Sequence, residues 1–371
     1  MTNQVKRENH LVPQFYLRYF SSAPKRTNLY NFSRQRLITD ASIKHQCSRH
    51  NFYEFAPNLE NSFADLEAQA ARVIREVEAA GHLPDAESAD WRSLLGFIVF
   101  QKLRTSNAAK SNDAVTEFLG RLVMESHPEL ADLDPDNVKL RNVYSVAMPL
   151  SAAAVIMPLA LHLRAHLFIN TTSRELITSD DPVVLHNQYC QGITDNGVNG
   201  WNCAGLQAFW PISPRKLIIL YDRDVYDVPE SSPGSRASRL AREFDVAQLN
   251  SLQILNAHHN VYFAGRSGFK KVIAQCSDLS HRRPKTRATF VETEAVEHPD
   301  GTSRAILHSF EPLLPLTLRM SKIRVNKQML KIPLHDRAQM YRMRLPPQPW
   351  HRTPPDDMRA GLYRVKRTTR I

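Results

Sequence analysis

The sequence predicts an α+β fold, with a helical N-terminal half packed against an antiparallel sheet formed mainly by residues 166–310. Three observations point there. Apolar residues recur at helical spacing from Phe63 to His162. From Leu167 onward the texture changes to short apolar runs separated by Ser, Pro and Asn turns. No alternation of strand and helix runs through the chain, so segregated helices and antiparallel strands fit better than a βαβ series.

Residues 28–55 read as short strands and turns, with Leu29, Tyr30, Phe32, Leu37 and Ile38 as sheet positions. Asn61 or Ser62 opens a helix whose stripe is Phe63, Leu66, Ala70, Val73, Ile74 and Val77, and Gly81 stands where a C′ glycine ends it. A second helix, about Ser88 to Ala108, is apolar all round until Gln101, Arg104 and Thr105, which makes it a buried helix. A third spans about Asp113 to Glu125. From Asn142 to Leu163 run 22 residues free of Asp, Glu, Lys and Arg. Pro149 and Pro158 and the weak hydrophobicity of the alanines point to a buried, broken helix pair rather than a membrane span.

Strands follow at 167–170, 176–178 and 183–185, then a hairpin from Ala208–Ile212 to Leu217–Tyr221 through Ser213 and Pro214. Glu243 to His259 returns to helix, ending in a strand at Val261–Ala264. Residues 288–296 and 303–310 flank His298, Pro299, Asp300 and Gly301, a strong hairpin signal. The expected organisation is a core over 1–265, a β-hairpin extension over 266–311 and a basic, Pro-rich tail over 312–371, partly disordered.

The charge is uneven. Residues 312–371 hold 14 Lys plus Arg against 3 Asp plus Glu, which accounts for the whole net charge of +11. The remainder is a neutral globule, so attraction to nucleic acid or anionic lipid is expected of this segment alone. Cys47, Cys190, Cys203 and Cys276 form no C-x-x-C pair and are expected to be reduced thiols of a cytoplasmic protein. The N-terminus has no apolar h-region.

Residues 9–20 read N-H-L-V-P-Q-F-Y-L-R-Y-F, mixing His10, Gln14 and Arg18 with Phe15, Tyr16, Tyr19 and Phe20. With Thr178, Ser179, Asp180, Asp181, Pro182 and the run Phe209 to Tyr221, this block resembles the bacterial family known as domain of unknown function 4238, over roughly residues 8–265. The family pattern also carries Q-x-x-R-T followed by proline. Here it stands as Gln101, Arg104 and Thr105, with Ser106 in place of the proline.

Four polar clusters offer chemistry. His10, Gln14 and Arg18 are spaced i, i+4 and i+8, suited either to an anion or polar substrate or to pinning the N-terminus. Gln101 and Arg104 project from one side of a buried helix, so the cation needs a cleft or a carboxylate such as Asp180. Asp180 and Asp181 sit at a strand end, where they either act on a ligand or cap backbone amides. Asp222, Arg223 and Asp224 read as a solvated loop end. No G-x-S-x-G, Walker A, H-E-x-x-H or G-x-G-x-x-G occurs.

The leading expectation is therefore a phosphodiester-acting, nuclease-like enzyme on nucleic acid. His10 and Asp180 would be catalytic, and Gln14, Arg18, Gln101 and Arg104 would bind substrate. The cofactor is unknown, with Mg²⁺ held by Asp180 as one option. The alternative is a non-catalytic nucleic-acid- or protein-binding module that uses the basic tail. No membrane span is expected.

Overall fold

A computed structural model describes residues 8–50, 59–130, 147–193, 196–265, 269–285 and, with short gaps, 288–342. The architecture is α+β. The chain starts with strands rather than helices: β1 (Glu8–His10), the short helix α1 (Gln14–Leu17), then β2 (Ser21–Ala23), β3 (Arg26–Asn31), β4 (Arg36–Ser42) and β5 (Ser48–His50). Pro13 precedes α1 in extended conformation, as proline's fixed φ favours at a helix start.

The helices lie in the middle of the chain. α2 (Leu59–Ala80) ends at Gly81, whose φ of +72° and N–H bond to the Val77 carbonyl (3.0 Å) make the expected C′ cap. α3 (Ala89–Leu103) is capped by Ser88, whose hydroxyl accepts the Trp91 N–H. α3 stops earlier than its apolar pattern suggests. Thr105 leaves helical geometry and caps a new helix, α4 (Ser106–Ser126), by accepting the Ala108 N–H at 3.2 Å. Ser106 is thus the first residue of α4, the position where proline is best tolerated. Replacing the family's proline there leaves the cap intact. α5 (Ala147–Ser151) and α6 (Ala153–Leu161, with Pro158 inside) are the expected broken pair, but not the buried one expected: Met148, Val155 and Leu161 are exposed and only Leu150, Leu159 and Ala160 are buried. Among the described residues no helix is long and apolar enough to cross a membrane.

The second half supplies β6 (Arg164–Asn170), β7 (Thr178–Ser179), β8 (Val184–His186), β9 (Gln207–Ser213), β10 (Lys216–Tyr221), β11 (Tyr226–Asp227) and β12 (Ala237–Leu240). Then come α7 (Glu243–Asn256), β13 (Asn260–Phe263), α8 (Phe269–Ser280), β14 (Thr289–Glu292), β15 (Val296–Glu297), β16 (Ser303–Arg304) and β17 (Leu307–Phe310), and finally β18 (Arg324–Val325) and α9 (Leu334–Arg337). β14 pairs with β17 and β15 with β16, antiparallel, as the hairpin signal required; the Pro299–Gly301 turn itself lies outside the described residues.

The single sheet expected over 166–310 is instead two five-stranded sheets. One runs β12-β6-β10-β9-β8, antiparallel except for the parallel β12–β6 pair. The other runs β2-β3-β13-β7, with β4 on β3, so it recruits residues 21–42. Period-two patterning specifies a strand's faces but not its partner, so this long-range exchange is invisible locally.

α2, α3 and α6 pack with α1 over one face of the first sheet, burying Tyr16, Leu17, Phe20, Leu94, Phe97, Ile98 and Trp210. On the other side Phe168, Phe209, Ile219, Leu252, Val261 and Phe263 form a second cluster with α7 and α8. Leu314, Leu318, Met320 and Ile323 are buried in that same cluster. The segment expected as a tail is therefore a strap up to Arg342. Its proline-rich remainder, 343–371, lies outside the described residues.

Tyr16 joins the layers. Its hydroxyl lies 2.6 Å from Thr178 Oγ1 and donates to the Pro211 carbonyl at 2.5 Å, and its ring stacks on Trp210 with centroids 5.6 Å apart. Burial pushes this phenol well above its ordinary range. Tyr16→Phe removes the link while keeping the ring, leaving buried polar atoms with fewer partners. We expect a loss of about 1–3 kcal/mol, read as a lower urea midpoint; a midpoint equal to wild type would contradict the role assigned to the hydroxyl.

Two buried histidines each add a pH dependence to this core. His186 is fully buried with neither ring nitrogen hydrogen-bonded, and burial pushes it down to about 4. His166 is also pushed down to about 4, by burial foremost, with Arg164 and Arg236 adding to the depression and Glu230 opposing it. Between the ordinary value near 6.5 and about 4 the unfolded chain binds protons that the folded chain refuses. The stability contributed by these rings is then full above pH ~6.5 and falls with acidification, by about 1.4 kcal/mol per pH unit for each ring. Replacing His186 with Leu should flatten the stability–pH slope by one such increment; a slope parallel to wild type would rule this out.

Candidate functional site

The C-terminal end of α3 faces the N-terminal block, and polar groups gather where they meet. Gln101 is buried; its amide donates to the Leu11 carbonyl at 2.9 Å, while its Oε1 accepts from Arg104 Nε and Nη2 at 3.0 and 2.7 Å. Arg104 is only 1% exposed and lies over the Phe97 and Phe100 rings, 5.5 and 5.1 Å from their centroids. Its Nη1 donates to Glu67 Oε1 of α2 at 2.5 Å. The buried cation thus has a carboxylate partner, as its desolvation demands. That partner is Glu67, not the Asp180 suggested by the sequence.

His10 and Gln14 do meet, with His10 Nε2 and Gln14 Nε2 2.9 Å apart. Arg18 is exposed, and no side-chain hydrogen bond or ion pair engages it among the described residues. The N-terminal residues and α3 are therefore joined through Gln101 and the Leu11 carbonyl, one residue beyond His10.

Asp180 is elsewhere engaged. Its Oδ1 accepts the His258 N–H at 2.7 Å, and its Oδ2 accepts those of His259 and Asn260 at 2.7 and 3.1 Å. These three amides form the turn from α7 into β13. Burial raises the carboxyl above its ordinary range, against the lowering effect of the three amides and of Arg283. Among the described residues no hydrogen bond or ion pair joins Asp180 to His10, Gln14, Arg18, Gln101 or Arg104.

Its neighbour Asp181, the other carboxylate that the sequence places at this strand end, is engaged differently. It is fully buried, accepts from Asn107 Nδ2 at 2.7 Å, and lies 3.7 Å from Lys102 Nζ. Lys102 also lies 3.4 Å from Glu311 Oε2. Asn107 additionally donates to the Asn256 carbonyl at 3.1 Å. Lys102 sits between Gln101 and Arg104 in sequence, and a lysine just after the apolar run from Leu94 to Phe100 was the available signal for this network. Asp222, expected in a solvated loop end, is buried instead. It accepts the Gly205 and Asp224 N–H groups at 2.8 and 3.1 Å, and only Arg223 and Asp224 beside it are exposed. Gly205 has a φ of +79°, and a Cβ there would meet Asn187 Oδ1 and Tyr189 Cβ at 2.7 Å.

No group of three or more His, Cys, Asp or Glu side chains able to hold a metal occurs among the described residues. All four cysteines are free, and burial pushes their thiols up, to about 12 for Cys190 and Cys276. Such thiols are poor nucleophiles. The arrangement can hold the N-terminus, α3 and the α7–β13 turn in fixed relation, and it leaves little charged functionality open to a ligand.

Asp180→Asn tests the clip. An amide presents one acceptor and one donor to three N–H groups, so the expected loss is about 1.5–3 kcal/mol in the urea midpoint. A variant as stable as wild type would leave the carboxylate free for another role.

No curated protein and no solved structure matches the chain. One family model does match, over residues 8–267, and its description reads "Protein of unknown function (DUF4238)". That span covers well over half the chain and includes the N-terminal block, the Gln101–Thr105 motif and the Thr178–Pro182 turn, so the chain belongs to the DUF4238 family.

Proposed function

We propose that this protein is a cytoplasmic, non-catalytic nucleic-acid-binding module that grips the phosphate backbone through its basic C-terminal segment. The observation that carries the reading is the strap over residues 312–342. Leu314, Leu318, Met320 and Ile323 anchor it in the core, while Arg319, Arg324, Lys327 and Lys331 are exposed. Polar bonds fix its path. Leu318 N–H donates to Gln191 Oε1 at 2.6 Å, Ser321 N–H to Asp245 Oδ1 at 3.0 Å, and β18 pairs with β11. Arg337 donates to the Tyr189 carbonyl at 3.0 Å and lies over the Tyr189 ring.

None of the four exposed cations forms an ion pair among the described residues, and Asp336 is the one acidic residue between Pro312 and Arg342. Cations held on a fixed scaffold without carboxylate partners suit a polyanion: binding releases condensed counterions and orders little chain. Free, unreactive thiols suit a reducing compartment.

Phosphodiester chemistry by His10 and Asp180, with Gln14, Arg18, Gln101 and Arg104 on substrate and Mg²⁺ as cofactor, has less support. Both Asp180 oxygens accept backbone N–H bonds, and Arg104 is committed to Gln101 and Glu67. A ligand would have to displace these bonds.

The test is fluorescence anisotropy of the full chain with labelled oligonucleotides across a salt series. Changing Arg319, Arg324, Lys327 and Lys331 to Gln should leave the thermal melt unchanged. The slope of log K against log salt should fall by roughly 0.7–0.9 for each phosphate no longer neutralised. Neutralisation is preferred to deleting the segment from Pro312, which would also strip the second core. An unchanged slope overturns the assignment, and metal-dependent cleavage of the oligonucleotide would restore the enzymatic one.

A further inference from the structure

We infer that Tyr341 is a base-stacking platform and that the nucleic acid bound beside the strap is single-stranded. This rests on the polyanion reading above and adds the class of ligand. Tyr341 is 63% exposed, the most exposed aromatic ring among the described residues outside the apolar clusters. Its backbone is held on both sides. Ala204 N–H donates to the Met340 carbonyl at 2.9 Å, Arg342 N–H donates to the Asn202 carbonyl at 2.7 Å, and Tyr341 forms an antiparallel bridge with Cys203.

The two neighbours point the other way. Met340 packs on the second core and accepts a contact from the Tyr189 hydroxyl at 3.7 Å. The Arg342 guanidinium is half-buried and bonds the Leu159 carbonyl at 3.1 Å as well as that of Trp201. Extended backbone alternates its faces, so burying 340 and 342 forces 341 outward. The backbone thereby directs the ring to solvent before any ligand arrives, and no hydrogen bond engages its hydroxyl among the described residues.

A single exposed aromatic is ordinary on a protein surface. Here it ends a strap that also exposes the cations Arg319, Arg324, Lys327 and Lys331 against one exposed carboxylate, Asp336, with Leu330 52% and Leu334 40% exposed along the same stretch. Cations that track a phosphate backbone, together with a rigid ring offering a π face, are the two components of single-strand recognition. A duplex keeps its bases stacked inside and offers the ring nothing to cover, so the aromatic term distinguishes the two nucleic-acid forms.

The experiment compares the full-length wild type with Tyr341→Ala and Tyr341→Trp. Probes are a fluorescein-labelled oligodeoxythymidine and a duplex of equal length, each read by anisotropy at several salt concentrations. Tyr341→Ala should weaken single-strand binding about tenfold with the salt slope and thermal melt unchanged, Tyr341→Trp should restore it, and duplex binding should not move. Wild-type affinity of Tyr341→Ala for the single strand overturns the stacking role. If the glutamine substitutions in the strap still lower the salt slope, the polyanion reading survives that result. A wild-type protein that binds neither probe ends both.

Discussion

The Tyr16 hydroxyl is the point through which the two sheets and the helical layer meet. Thr178 belongs to β7 in the second sheet and Pro211 to β9 in the first, and the ring lies against Trp210 and beside Phe20. Neither sheet hydrogen-bonds to the other through its own strands. A buried phenol is well suited to such a junction, since its ring contributes apolar contact while its one polar atom satisfies groups from two directions. The rest of the N-terminal block serves the same end: Leu11 bonds Cys47 and Gln101, and Val12, Leu17 and Phe20 complete the first core.

Much of this was legible in the residues. The stripes of α2 and α3, the Gly81 cap, the β9–β10 hairpin and α7 all follow from local pattern, because their periodicity and turn chemistry act over a few residues. What was not legible depends on distant partners. Arg104 announced a buried cation needing a counter-charge, yet nothing local distinguishes Glu67, on the preceding helix, from Asp180. Asp180 announced a strand-end carboxylate. That its acceptors would be filled by amides of residues 258–260 depends on where α7 ends. The break at Thr105 was hidden because helical propensity continues on both sides, and only the capping hydroxyl marks it. The strap escaped because Leu314, Leu318, Met320 and Ile323 recur with no helix or strand period amid prolines and cations.

Separating neutral globule from basic segment changes what the overall charge means. A pI near 9.6 is here a property of one stretch of chain, much of it immobilised against the core. Cations on an anchored backbone give up little backbone freedom on meeting an anion, so less ordering opposes each contact than on a loose tail. The family match ends at residue 267, whereas the strap that completes the second core begins at Pro312. In this chain the family core is therefore closed by sequence outside the family match.

The separation between Tyr16 and its partners also sets an order of assembly. The two partners lie 162 and 195 residues downstream. At roughly 5–20 residues per second of synthesis, the N-terminal rings emerge on the order of 10–40 seconds before the β9 carbonyl that completes their site. Throughout that interval Phe15, Tyr16, Leu17 and Phe20 form an apolar sequence with no finished surface to cover. Contacts this non-local make closure slow and leave the nascent chain exposed to association. During biogenesis, then, the most conspicuous stretch of this sequence is uncovered apolar surface before it is a keystone.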